Sequence, residues 1–74
     1  MNLYAIYDTL VGESGPVFQA KNDQVALRQF RNLVKGEVLN TSEYELYCLG
    51  VYDPEKLLII VHDKKKVEGN VDGQ

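Results

Sequence analysis

The sequence predicts an α+β fold made of two β-hairpins and one helix, in the order ββαββ. Three observations carry it: short apolar runs at residues 3–8 and 57–62, an alternating run at 44–53, and one stretch with apolar residues at helical spacing. Two hairpins packed on one helix give a four-stranded, mostly antiparallel sheet with the helix on one face.

Residues 3–8 combine apolar, aromatic and β-branched side chains, the composition of a strand. Gly12, Ser14, Gly15 and Pro16 then punctuate the backbone. The extended pattern resumes from Pro16 to about Ala20, so residues 10–15 are expected to join two strands as a long hairpin. Asn22 or Asp23 is positioned to cap the next segment. Ala26, Leu27, Phe30, Leu33 and Val34 fall on one helical face, and Gly36 marks a stop, which places a helix over about 23–35.

Residues 37–43 form a polar connection. In the run that follows, Tyr44, Leu46, Cys48 and Tyr52 are expected on one face, and Tyr47, Leu49 and Val51 on the other. Gly50 is a candidate bulge. A turn through Asp53 and Pro54 leads to the unbroken apolar run 57–62, which reads as a buried strand. Residues 1–63 are therefore expected to form a single domain and 64–74 a flexible polar tail. One helix covers only one side of such a sheet, so the other is expected to meet a second copy of the chain, with Tyr4, Tyr44, Tyr47 and Tyr52 at that interface.

At 74 residues the chain has room for one small core, and its 45% hydrophobic content is that of a globular domain rather than a disordered one. A single cysteine excludes an internal disulfide framework and points to a reducing compartment. No run approaches the ~20 apolar residues of a membrane span, and the opening residues lack the basic-then-apolar pattern of a secretory leader. The net charge of −3 works against whole-surface attraction to nucleic acid, so any such binding needs a local basic patch.

Chemistry-bearing constellations are scarce. His62 has no second histidine or cysteine at ligand spacing, so no metal site is expected. Cys48 sits in a strand pattern, where a free cysteine behaves as a small hydrophobe, and a nucleophile would need an adjacent base. Glu43 and Glu45 share a strand face but read as solubilising residues. The glycines at 12 and 15 lack the lysine and the following helix of a phosphate loop. No catalytic residue, metal or cofactor is therefore expected.

Binding residues are more evident. Gln24, Arg28, Arg31 and Lys35 stack along the solvent side of the helix at three- and four-residue spacing. Together with Lys21 and the cluster Lys64, Lys65 and Lys66, they are the candidate contacts to nucleic-acid phosphates. An ordinary solvated helix face competes with that role, since three cations supply little affinity at physiological salt. The five tyrosines all fall in predicted strands or their edges; they suit base stacking on an open sheet, although plain packing explains tyrosine in strands equally well.

The segments at residues 1–8, 15–23 and 43–53, with Ala26, Arg28 and Phe30 between them, resemble the small non-structural protein of gokushovirus-type microviruses, phages with circular single-stranded DNA genomes. The likeness covers most of residues 1–53 and is most specific around Cys48. It implies a non-capsid protein in the cytoplasm of a bacterial host, with a part in genome replication or in the switch to single-stranded DNA synthesis. It transfers no catalytic residue. The expectation is a non-catalytic homodimer that binds single-stranded DNA. The alternative is an adaptor that engages a host or phage replication or assembly protein.

Overall fold

The computed structural model describes residues 1–34 and 43–68 and contains one helix and one antiparallel sheet. Strand β1 spans Asn2–Asp8, β2 Glu13–Ser14, β3 Phe18–Ala20, helix α1 Asp23–Val34, β4 Tyr44–Asp53 and β5 Leu58–Lys66. Both β2 and β3 pair with β1, Ser14 opposite Tyr7 and Ala20 opposite Asn2. β3 is the return strand expected from the sequence, whereas β2 falls within residues 10–15, expected there to be connection, and pairs with the end of β1. Pro16 lies between the two, where its missing N–H costs no ladder bond.

The other edge of β1 pairs with β4, and β4 pairs with β5, all antiparallel. Because β3 and β4 both run opposite to β1, they are parallel to each other on either side of it. The connection between them crosses over β1 and carries α1, which sets the helix above the centre of the sheet.

Helix α1 starts where Asn22 caps it. The Asn22 side-chain oxygen accepts from the Val25 N–H at 2.9 Å, and its carbonyl accepts from the Ala26 N–H at 3.0 Å. Asp23 is thereby left for a longer-range bond. The Tyr4 hydroxyl donates to its carboxylate at 2.6 Å and accepts from the Asn2 amide at 3.0 Å. Tyr4 has no exposed surface, and its ring stacks on Phe18 of β3 with centroids 5.9 Å apart. Ala20, Ala26 and Leu46 complete the buried centre, flanked by Ile6, Leu27, Phe30, Cys48 and Val67.

Several expectations are corrected. Tyr4 is the middle of the core and not an interface residue, because the crossover puts the helix directly over it. Leu33 is 61% exposed, at the helix margin beyond reach of the sheet centre. Tyr52 does not share a face with Leu46 and Cys48. A register shift pairs Tyr4 with Cys48 but Asn2 with Val51, so Val51 takes the helix side and Tyr52 the opposite one.

The apolar run ending at Val61 is not buried. Leu57, Leu58, Ile59, Ile60 and Val61 are between 43% and 78% exposed, since β5 is an edge strand beyond the helix. That strand also continues through Lys66, and the Val67 N–H bonds the Leu46 carbonyl at 2.8 Å, so the expected boundary at residue 63 falls inside the fold. The part of the expected tail at 69–74 lies outside the described residues.

Gly50 is buried between β4 and β5 opposite Val61. A Cβ there would stand 2.4 Å from the Ile60 carbonyl oxygen and 3.1 Å from the Val61 Cα, both backbone atoms that cannot swing aside. Gly50→Ala is expected to cost about 1–3 kcal/mol in denaturant unfolding, through loss of β4–β5 pairing. Burial, reinforced by the bond to Asp23, raises the Tyr4 phenol from 10.0 to about 12. Between those two pH values the unfolded chain releases a proton that the folded chain keeps, so the stability is whole below pH 10 and falls as pH rises toward 12. Unfolding measured across that range should show a shallower fall for Tyr4→Phe, which should also be about 1–2 kcal/mol less stable at neutral pH.

Candidate nucleic-acid interface

The cations predicted from sequence lie far apart in the chain, and the fold brings three of them together. Arg28 and Arg31, on the exposed side of α1, line a groove with Lys66 at the end of β5. Asn22, Asp23 and Gln24 form its helix-start wall, and Val67 and Glu68 its other side. Lys66 is held at the end of β5 by its pairing with Tyr47, and Val67 after it packs against the core beside the helix. Neither guanidinium has an ion pair among the described residues. Lys66 does: its ammonium lies 3.3 Å from Glu45.

Lys21 is exposed just before the helix and is not among the residues lining the groove. Lys65 sits opposite Cys48 in the ladder, away from Lys64. Lys35 lies outside the described residues. The described part of the stripe, Gln24, Arg28 and Arg31, thus shares its groove with a lysine that the sequence assigns to a tail.

The helix-free face carries a second arrangement. Tyr7 of β1 and Tyr47 of β4 meet edge to face, with centroids 6.4 Å apart and planes at 79°. The Lys64 ammonium stands 6.0 Å from the Tyr47 ring centre. Ala5, Ser14 and Leu49 complete a shallow depression around them. Lys64 reaches this face because β5 has two more residues than β4 between their successive pairs, Gly50 with Val61 and Cys48 with Lys65. The sequence places Tyr7 in a strand but not among the expected interface residues. Only the pairing of β1 with β4 puts it beside Tyr47.

Glu45 links the two arrangements. The Tyr47 hydroxyl donates to it at 2.7 Å, and this bond, followed by Lys66, holds the Glu45 carboxyl below its usual range. The same bond is the main cause of a raised Tyr47 phenol. Tyr44 faces a different depression, with Ile6, Val11, Leu33 and Val34.

The same irregularity in β5 brings Cys48 Sγ within 3.8 Å of His62 Nε2. His62 Nδ1 lies 2.7 Å from the Asp63 carbonyl oxygen, which only accepts, so in a neutral ring Nδ1 is the donor and the Nε2 lone pair faces the thiol. The geometry pairs a thiol with a base, and neither residue lines any of the depressions described above. Among the described residues no group of three metal-ligating side chains exists, and no helix is long and apolar enough to cross a membrane.

The chain is a small α+β domain with a groove lined by Arg28, Arg31 and Lys66 and an aromatic sheet face. Residues 1–72 match the family described as Phage ORF5 protein, and the chain is a member of that phage protein family. No curated protein and no solved structure matches it.

Replacing Glu45 by Gln removes the anionic acceptor that holds the Tyr47 proton. Ultraviolet titration of the tyrosines is expected to show Tyr47 ionising at lower pH in Glu45→Gln, with Tyr4 unchanged.

Proposed function

We propose that this phage protein binds single-stranded DNA without catalysing a reaction and so assists genome replication or the switch to single-stranded synthesis. The observation that carries it is the groove where Arg28 and Arg31, free of ion pairs among the described residues, stand with Lys66. Guanidinium groups without carboxylate partners accept a phosphate at no cost in broken ion pairs. The Tyr7–Tyr47 pair with Lys64 offers bases a stacking surface, a contribution of about 1–3 kcal/mol per stacked base. Resemblance to the non-structural proteins of gokushovirus-type microviruses supports the choice of a single strand over a duplex.

With a net charge of −3, the affinity rests on few contacts and is salt-sensitive. Three phosphate contacts to a single strand give a slope of about −2 for log affinity against log salt. Fluorescence anisotropy with a labelled oligonucleotide is expected to show that slope. The double variant Arg28→Ala and Arg31→Ala should lower affinity at least ~10-fold and bring the slope close to −0.7. No binding at low salt, or binding indifferent to both substitutions, would sink the proposal.

A second role has its own observation. The depression around Ala5, Tyr7, Tyr47 and Leu49 is largely apolar and aromatic, the composition of a protein contact, and supports an adaptor that engages a replication or assembly protein. A partner retained after nuclease treatment and lost on Tyr47→Ala would favour the adaptor.

A further inference from the structure

We infer that two copies of this chain join edge to edge through β5, antiparallel about a two-fold axis at Ile60, into one continuous sheet. It does not depend on the DNA-binding proposal, and its hydrogen-bonded pairs involve none of the residues assigned to nucleic acid. It begins with an anomaly of burial. Leu58, Ile59, Ile60 and Val61 are all exposed, on both faces of an edge strand, where soluble proteins ordinarily place charges or prolines.

Backbone directions fix which groups on that edge are unused. Tyr52 exchanges both of its backbone groups with Met1, its N–H to the Met1 carbonyl at 2.8 Å and its carbonyl to the Met1 amine at 3.2 Å. Those groups therefore point away from β5. Ile59, opposite Tyr52, turns its own N–H and C=O to the free edge, and by alternation so does Val61, opposite Gly50. Ile60 points inward to Val51.

A two-fold axis between antiparallel copies requires a residue to face its own counterpart. With Ile60 on the axis, Ile59 of each copy meets Val61 of the other, and these pairs exchange four hydrogen bonds. Every free-edge group of Ile59 and Val61 is then satisfied, and apolar side chains neighbour apolar side chains across the seam. Shifting the axis to Ile59 would bring in Leu57, whose φ of 55° takes it out of the strand. Shifting it to Val61 would set Ile59 against Asp63.

Charge agrees with the same register. It lays the turn of one copy, with Asp53 and Glu55 against Lys56, beside the end of the other copy's β5, with Lys64, Lys65 and Lys66 against Asp63. A net-acidic turn thus meets a net-basic strand end at both sides of the axis. No unrelated partner is needed to supply that match.

Sedimentation equilibrium of the full chain is expected to give twice its 8.4 kDa mass. Val61→Pro removes a donor that the single copy does not use, and should weaken the dimer at least ~10-fold while circular dichroism stays unchanged. A Cys48→Ser chain carrying Ile60→Cys should cross-link to itself on oxidation, because that pair sits about 4.5 Å apart between Cα atoms. The same chain carrying Leu58→Cys instead should not, since its neighbour is His62 of the other copy. A single-chain mass at every concentration, a dimer indifferent to Val61→Pro, or equal cross-linking at both positions would overturn the inference.

Discussion

The bond from Tyr4 to Asp23 is the constraint on which the rest of the molecule depends. One side chain joins three elements: it grows from β1, its ring stacks on Phe18 of β3, and its hydroxyl reaches the first turn of α1. In so small a domain a buried polar atom left without a partner is a severe cost, so the helix must begin where Asp23 can accept that proton. The cap at Asn22 makes this consistent, because it serves the helix's free N–H groups and leaves the Asp23 carboxylate available.

That placement has consequences at a distance. Docked over Tyr4, the helix covers β1, β3 and the first half of β4. The far half of β4 and the apolar start of β5 lie outside its reach, and among the described residues no helix covers the opposite face of the sheet. The exposed apolar edge of β5 and the aromatic face around Tyr47 are thus two results of one helix being too short for five strands. The cationic groove arises the same way, where Lys66 ends β5 and Val67 after it packs onto the core beside the helix.

Much of the fold was legible in the residues. Spacing of Ala26, Leu27, Phe30 and Val34 defined the helix, and Asn22 announced its start, since these are local effects of side-chain direction and backbone hydrogen bonding. The longer strands follow from residue pattern, and Gly50, the candidate bulge, stands at the register shift between β4 and β5. What failed were inferences of burial from composition. An unbroken apolar run reads as a core strand, but 57–62 is an edge, and nothing within the run distinguishes the two. Tyr52 failed because a register shift between strands resets which side chains share a face, and strand pairing is not a local property.

For the candidate site the division is similar. The sequence by itself determined the inventory: cations on one helical face, lysines after an apolar run, tyrosines in strands, and no set of residues with the spacing of a metal or catalytic centre. Periodicity is enough for that, because it acts within one element. Only the tertiary structure decided which of them meet. It joined Arg28 and Arg31 to Lys66, paired Tyr7 with Tyr47 under Lys64, put Cys48 beside His62 and withdrew Tyr4 into the core. Each of those meetings depends on strand order, on the two extra residues in β5 or on the path of the crossover. These are properties of contacts between distant segments, which no single stretch of sequence encodes.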